Sequence, residues 1–88
     1  MADFCWNIAV PLATKNLAAY GAEVIKIEAQ TRYDTNRTTP PFKDGLAGID
    51  LGGMFVRNNA GKMSVALNLS HPRAIEIAKQ LVARADIV

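Results

Sequence analysis

The stretch Asn58-Asn59-Ala60-Gly61-Lys62-Met63-Ser64-Val65-Ala66-Leu67-Asn68-Leu69 decides how the chain is read. It turns through Gly61, presents a cation at Lys62 and runs into a short apolar strand over residues 64–69. A helix follows directly. Ser70 is a natural N-cap, since its hydroxyl can accept an N–H that the first turn leaves unpaired. Pro72 fits that first turn because it has no N–H to leave unpaired. Residues 73–85 carry an apolar stripe at Ile75, Ala78, Leu81, Val82 and Ala85, with Glu76, Lys79, Gln80 and Arg84 on the wet face. Asp86-Ile87-Val88 reads as the opening of another strand. A turn feeding a strand that feeds a helix is how α/β proteins build small-molecule sites.

Upstream, the same logic repeats. Residues 4–10 form an apolar run with Trp6 and Ile8 in it and read as a strand. Residues 11–20 read as a helix with Pro11 in its first turn, Ala13 and Leu17 on one face, and Lys15 and Asn16 pointing away. Gly21 sits where that helix stops, and residues 24–28 alternate around Val24, Ile25 and Ile27 as a second strand. A β-α-β order implies a right-handed crossover and parallel strands. The expectation is an α/β parallel sheet with flanking helices, incomplete and part of a larger domain. Residues 29–58 are different, with Pro40, Pro41, Gly45, Gly48, Gly52 and Gly53 and no sustained period. Met54-Phe55-Val56 is a candidate helical anchor inside this long irregular segment. Loops of such length tend to be functional or disordered.

Composition narrows the function classes. With 88 residues and a net charge of +2, the chain allows one small domain or a piece of a larger one. Its scattered basic residues do not argue for nucleic acid or a membrane surface. No apolar run approaches the roughly 20 residues of a membrane span, and the N-terminus lacks the basic start of a secretory signal. A single cysteine, Cys5, excludes an internal disulfide and fits a reducing, cytoplasmic setting.

Several motifs fail on inspection. A phosphate loop needs glycine five residues before Gly61 and a hydroxyl after Lys62, where the chain has Val56 and Met63. The turn over residues 7–12 has no glycine and cannot be a dinucleotide fingerprint. Asp44 and Asp50 do not have the spacing of a calcium loop. His71 reads as a solvated surface residue, Cys5 as a structural thiol without a basic neighbour, and Trp6 as core. Arg32, Arg37, Arg57 and Lys62 flank strands whose carboxyl ends would form a crevice. They are either a basic set for phosphate or carboxylate groups or solvated loop charge.

The ordered set of motifs resembles the N-terminal region of the family III CoA-transferases, the CaiB/BaiF family. Asp3-Phe4 and Ala9-Val10-Pro11 are similar to the family's first strand and turn, with valine in place of the usual glycine. The run from Leu12-Ala13-Thr14 to Gly21-Ala22-Glu23-Val24-Ile25-Lys26-Ile27-Glu28 follows the family pattern closely. Asp34 and Arg37 match an Asp-x-x-Arg step. Asn59 through Leu69, and the last stretch from Leu81 to Val88, are similar to further motifs, so the resemblance covers nearly the whole chain.

That resemblance implies a Rossmann-like, CoA-binding segment of an enzyme that moves CoA between a CoA thioester and a free carboxylic acid. CoA would contact Ile8 and Ala9 after the first strand, and Leu67, Asn68, Leu69 and Ser70 after the third. The helix following Ser70 would offer N–H groups to CoA, with Lys62 or Arg37 near its phosphates. The family's aspartate nucleophile is expected beyond residue 88. Asp34, Asp44, Asp50 and Asp86 do not match it, so no catalytic or metal-binding residue is assigned and the 88 residues alone are expected to be inactive. The resemblance also implies an interlocked homodimer. Two alternatives stand beside it: a segment of an acyl-CoA racemase of the same fold, and a non-catalytic α/β ligand-binding module.

Overall fold

The computed structural model describes all of residues 1–88. Its sheet holds three parallel strands in the order β1-β2-β3: β1 (Ala2–Asp3), β2 (Ile25–Glu28) and β3 (Met63–Ala66). Helix α1 (Ala9–Ala19) joins the first two strands, a long connection ending in α2 (Gly53–Asn59) joins the second pair, and α3 (Pro72–Arg84) follows β3. The parallel α/β class expected from the sequence is therefore the fold. Asp3, Lys26 and Ser64 are register partners across the sheet, as are Ala2, Ile25 and Met63.

The first strand corrects the sequence reading. Residues 4–10 are not a strand: pairing ends at Asp3, whose carboxylate accepts the N–H of Cys5 at 2.9 Å. This local turn diverts the N–H that a longer ladder would use. Asn7 then takes a positive φ of 65°, a conformation asparagine tolerates better than most residues, and α1 begins two residues before Pro11. The apolar stripe of α1 also lies elsewhere than expected. Pro11 and Thr14 are its buried residues, while Ala13 and Leu17 are exposed. Thr14 is drawn inward because its hydroxyl donates to Asp3 Oδ2 at 2.8 Å.

Gly21 ends α1 as expected. With φ of 99° it stands in left-handed space, and the N–H of Ala22 reaches the Leu17 carbonyl while that of Gly21 reaches Ala18, both at 3.0 Å. These are the two bonds of a Schellman closure. The strand after it begins at Ile25, one residue later than the alternation suggested.

The segment 29–58 is organised by buried polar contacts. It contains 3-10 turns at Thr35–Thr38 and Lys43–Gly45 before α2, the helix anticipated around Met54-Phe55-Val56. A Cβ on Gly52 would lie 2.8 Å from the carbonyl oxygens of Asn36 and Arg37, so only glycine lets the start of α2 approach the first of these turns so closely. The core is small in apolar terms: Ala2, Val24, Ile27, Ala74 and Ala78 are its fully buried hydrophobic residues. In α3, Ala74 and Ala78 are buried and Leu81 and Val82 half-buried, as is Ala85 at its C-cap, while Ile75 is exposed along with Glu76, Lys79, Gln80 and Arg84. Asp86-Ile87-Val88 forms no strand, although the Ile87 carbonyl accepts the N–H of Ala2 at 3.0 Å. No helix is long and apolar enough to cross a membrane.

Candidate functional site

A crevice of about 680 Å³ opens at the carboxyl ends of all three strands. Phe4 and Trp6 follow β1, Ile27, Glu28 and Ala29 close β2, and Leu67, Asn68, Leu69 and Ser70 follow β3; Thr31 and Arg32 complete the lining. Ligands of open α/β sheets bind at this edge, and the volume suits a small-molecule ligand, for which about 300–1,000 Å³ is usual. The apolar floor can take hydrocarbon or a flat ring, and the rim supplies hydroxyl, amide and guanidinium groups.

The structure thus brings together Leu67, Asn68, Leu69 and Ser70 from the residues singled out in the sequence. Ile8 and Ala9 are not in this lining: Ile8 is the residue before α1 and Ala9 its first residue, and both are exposed. Trp6, read from sequence as core, belongs to the crevice, as does Phe4. The signal that could have placed them is the end of β1 at Asp3, which makes them residues of a strand-to-helix loop.

The cap of α3 also differs from expectation. His71, not Ser70, is the N-cap, its Nδ1 accepting the Arg73 N–H at 3.2 Å. The Ser70 N–H donates to Asn68 Oδ1, that of His71 to the Asn68 carbonyl, and that of Leu67 to the Glu28 carbonyl. The N–H groups of Asn68 and Leu69 have no acceptor within the chain. The donors open to a ligand therefore lie in the turn itself rather than at the first turn of the helix.

Behind the crevice lies a network of buried charges. Lys62 Nζ sits 2.8 Å from Asp3 Oδ2 and also reaches Asn59 Oδ1 at 2.8 Å. Lys26 Nζ is 3.1 Å from Asp34 Oδ2, while its aligned hydrogen bond goes to the Cys5 carbonyl at 2.6 Å. Arg37 pairs with Glu28 and with Asp50, and its guanidinium lies 3.6 Å from the ring centroid of Phe55. Lys62 and Arg37 are thus engaged by carboxylates rather than presented to a phosphate. Arg57 lies exposed on α2, and Arg32 alone of the four basic residues lines the crevice.

The electrostatics follow from these partners. Burial pushes the Asp3 carboxyl up, but hydrogen bonds from Lys62, the Cys5 N–H and Thr14, with the Lys62 charge, outweigh it and hold it below its ordinary value. Glu28 is likewise raised by burial and brought down further by Arg37, by the Asp34 N–H and by the charge of Lys26. Burial and then the neighbouring Asp3 charge push the Cys5 thiol up, which suits a structural rather than a nucleophilic role.

Fold and crevice define a parallel α/β protein with a ligand-sized crevice at the carboxyl edge of its sheet. Residues 1–88 match the family profile described as CoA-transferase family III, and the chain belongs to that family. It is 38% identical to the succinyl-CoA:glutarate CoA-transferase of Mus musculus over 97% of this chain and 19% of that protein. Against the succinyl-CoA:mesaconate CoA-transferase of Haloarcula marismortui, identity is 40% over 98% of this chain and 22% of the relative. The crystal structure of a hypothetical protein from Mycobacterium tuberculosis superposes with a TM-score of 0.76 at 38% identity, covering 97% of this chain and 22% of that one. The chain spans about a fifth of the length of the curated relatives it matches.

Proposed function

We propose that the chain is the CoA-binding N-terminal part of an enzyme that transfers CoA between a CoA thioester and a free carboxylic acid, with the crevice holding CoA. The observation that carries this reading is the convergence of Leu67, Asn68, Leu69 and Ser70 with an apolar floor and Arg32 at the carboxyl edge of three parallel strands. Ile8 and Ala9, the N-cap and first residue of α1, lie outside the crevice lining, and their contact with CoA rests on the family resemblance alone. The transferase names of the relatives favour transfer over racemisation and over a non-catalytic module. The interlocked homodimer and the cytoplasmic setting belong to the same proposal.

The chain binds CoA but does not itself transfer it. An acyl-carrying carboxylate must meet the thioester, and the single carboxylate in the crevice, Glu28, is held by Arg37. Asp3 and Asp34 are buried in ion pairs, and Asp44, Asp50 and Asp86 lie outside the lining. Calorimetry with CoA tests the placement. Asn68→Trp and Ser70→Trp should weaken binding, whereas Lys79→Ala and Arg84→Ala, on the exposed face of α3, should not. Equal affinities across the four variants would put the ligand on another edge of the sheet.

A further inference from the structure

The Arg32 guanidinium stands 5.3 Å from the centroid of the Trp6 ring, and both residues line the crevice. Arg32 is its only cation. The buried basic side chains behind the crevice are spent: Lys26 on Asp34, Arg37 on Glu28 and Lys62 on Asp3. The Arg32 side chain joins no ion pair and donates no hydrogen bond within the chain, and the nearest acid of the lining, Glu28, already serves Arg37. An aromatic face is therefore covered by a cation whose donors are all free.

We propose that Trp6 and Arg32 form a phosphate-selective base platform. The indole face under Arg32 offers a stacking surface, and a flat base that takes this face displaces the guanidinium. A neutral nucleoside then removes the cation from its ring and gives it nothing in return. A nucleotide supplies a phosphate that accepts the displaced guanidinium through paired N–H···O bonds. The pair thus rejects unphosphorylated bases as well as admitting phosphorylated ones, a selectivity built from a lost contact and a new one. This rests on the reading of the crevice as a CoA site, where adenine would take the ring. The phosphate is that of the CoA pyrophosphate or the 3′-phosphate.

Trp6 is the only tryptophan of the chain, so its fluorescence reports the exchange directly. Wild type and Arg32→Gln are titrated with CoA, dephospho-CoA and adenosine, each followed by Trp6 emission and by calorimetry. CoA should change the emission, and Arg32→Gln should weaken CoA by about ten- to a hundredfold while leaving adenosine equally or more tightly bound. A loss shared by CoA and dephospho-CoA supports the proposal through the pyrophosphate; a loss confined to CoA supports it through the 3′-phosphate. Equal weakening of CoA and adenosine, no effect of Arg32→Gln, or CoA binding without a change in Trp6 emission would overturn the platform and leave the CoA site standing. Absence of CoA binding by wild type in calorimetry would overturn both. Arg32 is exposed, so its variant should keep the wild-type circular dichroism.

Discussion

Lys62 Nζ lies 2.8 Å from Asp3 Oδ2, with both side chains almost wholly excluded from solvent. The pair ties the turn before β3 to the end of β1 across the central strand β2, from positions 59 residues apart. Thr14 donates a second bond to Oδ2, and the Cys5 N–H donates to Oδ1. Removing one partner of such a pair strands a buried charge at a cost of about 3–5 kcal/mol. Lys62→Met should lower stability by that order, measured by urea unfolding, and Asp3→Asn/Lys62→Met should lose less than the sum of the single changes. A loss below about 1 kcal/mol for Lys62→Met would be the behaviour of a surface pair and would contradict this role.

The depressed carboxyls of Asp3 and Glu28 set an acid limit. Their ordinary values are 3.8 and 4.5, and folding lowers both. A lowered folded value contributes stability that is fully present above the ordinary value and is lost as pH falls through the folded one. Melting temperature should therefore hold from neutrality to about pH 5 and decline progressively below it. Asp3→Asn should start less stable and fall less steeply with acid. Parallel curves for wild type and Asp3→Asn would show that Asp3 takes no part in the decline.

At Gly21 the constraint is backbone conformation, because a Cβ there would meet nothing within 4 Å. A side chain in left-handed space costs about 1–2 kcal/mol. Gly21→Ala should show that loss in thermal unfolding, and Gly21→Asn a smaller one. An unchanged Gly21→Ala would mean that α1 does not need its Schellman closure.

The apolar balance predicts association. Five hydrophobic residues are fully buried, while Val10, Leu17, Val56, Met63, Ile75 and Ile77 are each at least 40% exposed. Apolar surface of this kind drives contact with other surfaces. Sedimentation of the 88-residue chain should show concentration-dependent association. A compact monomer with cooperative unfolding at every concentration tested would contradict this.

What the sequence made legible was local. β2 shows its alternation of β-branched residues, Gly21 marks the end of α1, and Pro72 marks the start of α3. These signals depend on neighbours within a few positions and survive in the structure. The strand assigned to residues 4–10 failed because alternation of Trp6 and Ile8 is indistinguishable from a loop that lines a crevice. Only the Asp3 side chain, turning back to the Cys5 N–H, reveals where pairing stops. Lys62 and Arg37 looked like free cations because their partners, Asp3 and Glu28, are distant in sequence or hidden on the buried face of a strand. Arg32 and Trp6 were each visible as residues, but their stacking across the loop ends required the fold.

The most direct test of the account is a CoA titration of isotope-labelled chain followed by amide NMR. The account predicts the largest shifts at the Asn68 and Leu69 N–H groups, the two turn donors without an internal acceptor, together with the Trp6 indole. Lys79 and Arg84 on the exposed face of α3 should remain unmoved. Shifts confined to α3, or no shift at Asn68 and Leu69 at saturating CoA, would contradict a CoA site at the carboxyl edge of this sheet.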